Sequence, residues 1–267
     1  MITKGVTFIV QGSLTEEALR GIYNYKKLGK VIVSCWDVDS PHLIDKIPQD
    51  VKVIVNKLEV DDSYNFQNIK YHIGSTLAGL LEAETPFAVK IRSDEYFTKM
   101  NKFVSSVYFS PDELTVSNFL FRKKRFCFHP SDHITGGKTK TLVDMFLNSR
   151  EMISGYKKDE QVKVESLGFN RAYTYKWLTA EMIFCLSYLK TKGVDVVSDI
   201  KEMSLEEVKK YHRRIIQQHY RLVRASDLGH FLFRYKSNTD LEGPTAFTNE
   251  KDFLDYNIGS IASLEDL

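Results

Sequence analysis

An acidic pair that directly follows a short apolar run is the strongest chemical signal in this sequence of 267 residues. Asp94 and Glu95 come just after the run at 87–91, and Arg92 stands two positions before Asp94. A carboxylate can hold a divalent cation such as Mn²⁺ or Mg²⁺ against a diphosphate, and the cation neutralises the charge that develops as the diphosphate leaves. We expect Asp94 to bind the metal and the planar guanidinium of Arg92 to bind phosphate oxygens. A solvated turn is the alternative interpretation.

A second polar segment, at 128–137, contains two histidines, an aspartate and two adjacent glycines. His129 and His133 are four residues apart, but Pro130 and the glycines favour a loop over a zinc-binding helix. A phosphate-binding P-loop is excluded, because Asp132 stands where that motif needs its first glycine. We therefore expect a loop whose polar residues are hydrogen-bonded locally or line a pocket. Its candidate residues are His129, Asp132, His133, Gly136 and Gly137.

Strands that alternate with helices must position these residues. The apolar patterns predict strands at 6–10, 31–35, 51–55 and 87–91, and helices at 14–28 and 68–84. This alternation is typical of an α/β fold with a mainly parallel sheet flanked by helices, whose ligands bind at the carboxyl ends of the strands. The residues that follow the first two strands are Gln11 with Gly12, and Trp36 with Asp37. Trp36 and Asp37 suit a base and a ribose, although Trp36 could also simply cap the core.

The second half of the chain continues the pattern and ends in a basic, helical extension. We expect a strand at 114–121, a basic turn at 122–125, and helices at 141–146 and 179–189. Ser204 and Glu207 have the spacing of a capping box, which predicts a helix running to about Val223. We interpret its basic residues as a solvated face, with an anionic membrane surface or an acceptor phosphate as the alternative. His219 and His230 are further candidate metal ligands.

Composition excludes several classes of function. The chain has 37 Lys and Arg against 35 Asp and Glu, a net charge of +2, so nucleic acid is not an expected partner. No apolar run reaches the length that spans a bilayer, and the N-terminus has no secretory pattern. The three cysteines are widely spaced, as expected for reduced core thiols. We therefore expect a cytoplasmic protein whose membrane contact, if any, is peripheral.

Several strings in this sequence resemble the WavE lipopolysaccharide-synthesis family. They lie at 6–12, 75–80, 90–94 and 128–133, the last followed by Gly136 and Gly137. The resemblance covers about 6–189, and it implies a GT-A-like (Rossmann-like) glycosyltransferase core at 1–189 with a C-terminal extension at 190–267 packed on it. It also implies that Gln11 and Gly12 lie under the donor nucleotide, that Asp94 lies at the metal and diphosphate, and that Asp132 and His129 face the donor sugar and acceptor.

An inverting sugar transfer needs a carboxylate that takes the proton of the acceptor hydroxyl. In GT-A enzymes this base is often found at a helix start well after the metal motif, and Glu181 occupies such a place. The helix dipole favours a carboxylate there, although Glu181 could equally be an ordinary first-turn acid. Asp132 is the rival base, and a retaining mechanism would need neither residue.

These observations predict a metal-assisted glycosyltransferase that moves a sugar from a nucleotide-sugar donor to a glycan or lipid-linked saccharide. A nucleotidyltransferase is disfavoured, because the segment after Gln11 lacks a glycine-rich basic loop. A catalytically silent module that binds nucleotide-sugar or glycan remains the alternative. GT-A transferases hold their metal with an acidic DxD (Asp-x-Asp) motif, and in this chain Arg92 replaces its first acid.

Overall fold

The computed structural model describes residues 5–59, 65–117, 127–157, 160, 162–169 and 178–232. Its strands are β1 (Val6–Gln11), β2 (Lys30–Trp36), β3 (Lys52–Asn56), β4 (Phe87–Arg92), β5 (Glu95–Phe97), β6 (Leu114–Ser117), β7 (Ile134–Lys138), β8 (Tyr220–Val223) and β9 (His230–Leu232). Its helices are α1 (Glu16–Tyr25), α2 (Pro41–Ile44), α3 (Ile69–Leu81), α4 (Asn101–Phe109), α5 (Thr139–Ile153), α6 (Ala180–Thr191), α7 (Val196–Ile200), α8 (Leu205–His219) and α9 (Ala225–Leu228).

Seven of the strands form one sheet in the order β3-β2-β1-β4-β7-β6-β8. β1 runs parallel to both β2 and β4, and Gln11 at its end is in register with Ser34 and Arg92. β7 is antiparallel to its neighbours, whereas β8 runs parallel to β6. The predicted α/β fold with a mainly parallel sheet is confirmed, and the carboxyl ends of β1, β2 and β4 meet at one edge.

Alternate residues of the central strands pack against helices on opposite faces of the sheet. Ile9 and Ala88 belong to the core that contains α3, α5 and α6, whereas Phe8 and Val89 belong to the core with α1 and α4. α3 packs so closely on β1 that an added Cβ at Gly79 would overlap Ile9. This close packing fixes the helix beside the strand ends.

The loop predicted at 128–137 is wrong from Ile134 onward. Residues Ile134–Lys138 form β7, which pairs with the central strand β4, so Gly136 and Gly137 lie inside the sheet. A Cβ at Gly136 would stand 2.6 Å from Val107 and 2.8 Å from Phe103, both on α4. The glycine accommodates a helix that packs directly on the strand and does not mark a turn.

The helix predicted to run from Ser204 to about Val223 ends earlier than expected. Its capping box is confirmed, because Ser204 and Glu207 bind each other's backbone N–H. The last four residues form β8 instead, since Tyr220 and Val223 are buried when this segment pairs with β6. The extension thus supplies an edge strand of the main sheet, while β9 pairs with β5. The segment 118–121 of the predicted strand and the basic turn at 122–125 lie outside the described residues.

Two further expectations concern the cysteines and the membrane. Cys35, Cys127 and Cys185 are all free and buried, which confirms the prediction of core thiols. In the part of the chain that the structure describes, no helix is long and apolar enough to cross a bilayer.

Candidate active site

A cleft of about 460 Å³ opens at the carboxyl ends of β1, β2 and β4, beside the start of α3. This is the position at which parallel α/β sheets bind ligands. It brings together five of the residues that the sequence singled out. Its polar and aromatic lining includes Gln11, Gly12, Trp36, Tyr71, His72, Ser75, Arg92, Ser93 and Asp94.

Gln11 and Gly12 line this cleft at the end of β1. The side-chain oxygen of Gln11 accepts a hydrogen bond from the Ser75 hydroxyl at 2.8 Å. Gly12 has a φ of 111°, and a Cβ there would lie 2.9 Å from the Ser93 hydroxyl oxygen. A side chain is disfavoured by both the backbone conformation and the space, so the chain stays bare where it faces the cleft.

Trp36 and Asp37 follow β2 but have different surroundings. Trp36 is buried, and its ring meets Tyr71 edge-on at 5.4 Å, with both residues lining the cleft. The Asp37 carboxylate accepts a hydrogen bond from the backbone N–H of Leu58 at 3.0 Å. The Asp37 side chain therefore holds the segment after β3, and Leu58 in turn lines the cleft.

Arg92 and Asp94 form a bidentate ion pair in the cleft wall. Arg92 Nε donates to Asp94 Oδ1 at 2.9 Å, and Nη2 donates to Oδ2 at 2.7 Å. Burial opposes the charged form of Asp94, but hydrogen bonding to Arg92 outweighs it and lowers the pKa of the carboxyl. Glu95 lies behind the pair, with Oε1 3.7 Å from Arg92 Nε. The guanidinium thus stands between two carboxylates.

The side chains of this wall that could bind a metal are few. Among the described residues, no group of three or more His, Cys, Asp and Glu side chains could hold a metal ion. Asp94 offers a single carboxylate to the cleft. Mg²⁺ and similar hard cations are commonly held by one or two carboxylates together with substrate phosphates and water. Asp94 therefore fits a metal that a bound diphosphate helps to hold.

A buried charge cluster lies against the wall of the cleft, around Asp132. Lys90, on β4, donates through Nζ to the backbone oxygen of Asp132 and is almost fully buried. Burial lowers the pKa of Lys90 to about 8, although Asp132 opposes that shift. Burial would raise the pKa of Asp132, but the charge of Lys90 is the main influence that holds it well below its usual value. Asp132 is thus an ionised carboxylate.

His72 connects this cluster to the cleft. Its Nδ1 lies 3.4 Å from Asp132 Oδ2, and its ring packs edge-on against Phe184 at 4.8 Å. Burial lowers the pKa of His72 well below its usual value, and Lys90 adds to that shift. His72 is therefore neutral at physiological pH.

On the other side of Asp132, His133 Nδ1 contacts Glu95 Oε1, and Glu95 neighbours Arg92. The predicted residues Asp132 and His133 are thus brought close to Arg92. Sequence reasoning missed His72 and Lys90. A lysine inside the apolar run at 87–91 was a detectable signal, whereas a histidine on an apolar helix is typical of a core residue.

Glu181 lies in the first turn of α6, as predicted, and the Thr179 hydroxyl caps that helix through the Met182 N–H. Its Oε2 is 3.4 Å from His129 Nε2, and its side chain is 20% exposed. Glu181 and Asp132 line one cavity of about 10 Å³, which has room for roughly one water molecule. Gly136 and Gly137 take no part in a loop here, because they lie within β7.

Similar solved structures include one from S. aureus and one from Bacillus anthracis. S. aureus TarS residues 1–349 share 13% identity over 69% of this chain and 55% of that one, with a TM-score of 0.39. A putative glucose-1-phosphate thymidylyltransferase from Bacillus anthracis shares 11% identity over 79% of this chain and 96% of that one, with a TM-score of 0.42.

HddC from Yersinia pseudotuberculosis shares 14% identity over 52% of this chain and 79% of that one, with a TM-score of 0.35. No curated protein matches the chain. The family of WavE lipopolysaccharide synthesis proteins matches residues 6–257, and this match includes most of the extension as well as the strands that form the cleft. The chain belongs to the WavE lipopolysaccharide synthesis family.

Proposed function

We propose that this protein is a glycosyltransferase that moves a sugar from a nucleotide-sugar donor to a glycan or lipid-linked saccharide. The observation that carries the proposal is the cleft at the carboxyl ends of the parallel strands, where Arg92 and Asp94 stand beside a bare backbone at Gly12. Membership of a lipopolysaccharide synthesis family supports an acceptor of this class.

The donor is bound by residues of three strand ends. Trp36 and Tyr71 offer aromatic surface to the base, and Asp37 holds the nearby segment at Leu58. Gln11 and Gly12 lie under the nucleotide, and Arg92 contacts the diphosphate. Asp94 would hold Mn²⁺ or Mg²⁺ with the help of phosphate oxygens, and the cation would supply positive charge that stabilises the leaving diphosphate.

Glu181 is the base of an inverting transfer. It takes the proton of the acceptor hydroxyl as the hydroxyl oxygen attacks the anomeric carbon, and the diphosphate leaves with the electron pair of the broken carbon–oxygen bond. Two observations support Glu181 over Asp132. Glu181 is partly exposed at a helix start, whereas Asp132 is buried and held ionised by Lys90, which makes it a weak proton acceptor.

The acceptor approaches from the side of α6, next to His129 and Glu181. The cavity there has room for about one water molecule, so acceptor binding has to widen it. We include a peripheral contact with a cytoplasmic membrane surface in the proposal. Three exposed basic residues of α8 support it, namely Lys210, Arg213 and Arg214.

A donor-hydrolysis assay tests the proposal. Nucleotide-sugars with different bases are incubated with the protein and Mn²⁺, and free nucleoside diphosphate is measured, because transferases commonly release some sugar to water. Transfer of sugar to an acceptor is measured as well, with the Glu181→Gln variant as the comparison. Absence of both hydrolysis and transfer across the donors, with nucleotide binding retained, would contradict catalysis.

One observation favours a second candidate, a silent module that binds nucleotide-sugar. Both oxygens of Asp94 are already bound by Arg92, so a metal has to compete for that carboxylate. The same assay separates the two candidates, since a binding module binds the donor and releases nothing.

A further inference from the structure

The Arg92–Asp94 pair occupies the two groups that a metal and a diphosphate would need. Arg92 donates to both carboxylate oxygens, at 2.9 and 2.7 Å, and each side chain is about a quarter exposed to the cleft, 23% for Arg92 and 27% for Asp94. A divalent cation on Asp94 would stand next to the guanidinium, and a diphosphate on Arg92 would stand next to the carboxylate. Like charges at such distances repel strongly in a partly buried site.

Each ligand alone therefore has to break the pair and leave one charged group without its partner. When both ligands bind, Asp94 exchanges Arg92 for the metal, and Arg92 exchanges Asp94 for the diphosphate. The metal and the diphosphate also attract each other. We propose that the Arg92–Asp94 ion pair couples the two ligands, so that each one binds more tightly when the other is present. This inference rests on the proposed function only in taking a nucleoside diphosphate and a divalent cation as the ligands.

Glu95 makes the exchange compatible with a fixed position of Arg92. Its buried carboxylate lies 3.7 Å from Arg92 Nε and also contacts His133. When Asp94 turns to the metal, Glu95 still faces the guanidinium and keeps it beside the cleft. Arg92 then presents its remaining N–H groups to phosphate oxygens, since a guanidinium has five donors in all.

Linkage makes the coupling reciprocal. The factor by which Mn²⁺ raises nucleotide affinity equals the factor by which the nucleotide raises Mn²⁺ affinity. We expect a factor of roughly 5 to 150, the usual range for coupled sites. The ion pair also predicts the direction in which substitutions change affinity. Removal of one partner should tighten binding of the ligand that needs the other partner.

Titration calorimetry provides the test. The probe is whichever of UDP, GDP, CDP and dTDP raises the melting temperature of the full chain most in the presence of Mn²⁺. Its affinity is measured with EDTA and with Mn²⁺, and Mn²⁺ binding to the protein alone is measured by electron paramagnetic resonance. We expect Asp94→Asn to raise the affinity for the probe in EDTA and to abolish its enhancement by Mn²⁺. We expect Arg92→Gln to tighten the binding of Mn²⁺ alone.

A double-variant cycle separates the exchange from a general change in charge. In the Arg92→Gln background, Asp94→Asn should no longer raise the metal-free affinity, because there is no guanidinium to release. If Asp94→Asn acted only by removing a negative charge, it would raise the metal-free affinity for the probe equally in both backgrounds. That result would overturn the proposal. Asp144→Asn, which breaks the exposed Lys140–Asp144 pair on α5, is the matched control and should change neither affinity.

Failure of the inference is distinguishable from failure of the proposed function. If none of the four nucleotides binds under either condition, the donor site itself is wrong. If the probe binds wild-type protein equally well with EDTA and with Mn²⁺, or if Asp94→Asn weakens metal-free binding, the site stands and the exchange is overturned.

Discussion

The imidazole Nδ1 of His212 accepts a hydrogen bond from the backbone N–H of Phe128 at 3.2 Å. Phe128 has a φ of 57°, an unusual conformation for a residue with a side chain, and its ring packs edge-on against His212 at 5.0 Å. His212 lies on α8, so the C-terminal extension fixes the start of the segment that carries His129 and Asp132. The extension therefore helps to shape the candidate active site.

This contact predicts a pH dependence of stability. Burial lowers the pKa of His212 from its ordinary 6.5 to about 4, so between those values the unfolded chain binds a proton that the folded chain does not. The free energy of unfolding should therefore fall as the pH falls through this window, by roughly 2 kcal/mol at pH 5 from His212 alone. Urea denaturation of wild type and His212→Asn at pH 7.5 and 5 measures it. An equal fall in both proteins would contradict the assignment.

Asp94→Ala should leave the fold intact and remove the effect of the metal. The variant lacks the carboxylate that we assign to Mn²⁺, and Asp94 is partly exposed, so little packing is lost. In a thermal-shift assay with a nucleoside diphosphate, the additional stabilisation by Mn²⁺ should largely disappear. Persistence of the Mn²⁺-dependent shift would place the metal elsewhere.

Arg92→Lys should weaken nucleotide binding although it keeps the positive charge. Lysine cannot reproduce the planar fork, so we expect a loss of about 1 to 3 kcal/mol if the contact with the diphosphate excludes water. Calorimetry with and without Mn²⁺ measures the loss. Unchanged affinity in both Arg92→Lys and Arg92→Ala would assign Arg92 a purely structural role beside Asp94.

Glu181→Gln should bind the donor normally and transfer sugar about 10²- to 10⁴-fold more slowly, since a base acts on the acceptor. Single-turnover transfer and donor affinity are measured together. Asp132→Asn provides the comparison, and normal transfer by Glu181→Gln with none by Asp132→Asn would identify Asp132 as the base. Retention of the anomeric configuration would leave both residues with binding roles.

Gly136→Ala should destabilise the protein by about 1 to 3 kcal/mol, because the new methyl group would overlap Val107 and Phe103. Gly155→Ala is the matched control, since nothing lies within 4 Å of a Cβ there. Chemical denaturation of both variants gives the comparison. Similar stabilities would show that α4 shifts away from β7 without cost.

The sequence was sufficient to predict the elements whose residues have a clear period. The runs at 6–10, 31–35 and 87–91 alternate with amphipathic helices, and all of them are present. β7 was missed because Gly136 and Gly137 have low strand propensity, and the close approach of α4, which explains Gly136, is a tertiary contact. β8 was missed because Tyr220–Val223 continues a helical pattern until it pairs with β6.

The candidate site could be located from sequence but its internal contacts could not. Position after a strand was enough to place Gln11, Trp36 and Asp94 at one edge of the sheet. The pairing of Arg92 with Asp94 depends on the directions of the two side chains. The pairing of His72 with Asp132 joins residues that are 60 positions apart in sequence. Such contacts are set by tertiary packing, which local patterns do not encode.

The parallel pairing of β6 with β8 has a consequence for the order of events on the ribosome. Leu114–Ser117 emerges about a hundred residues before Tyr220–Val223, so one side of β6 has no β8 to pair with until nearly the whole of the described chain has been made. Exposed strand edges template association with other chains. A nascent or truncated polypeptide that stops near Leu189 would therefore present this edge to its neighbours, and the sheet is complete only after the extension has been made.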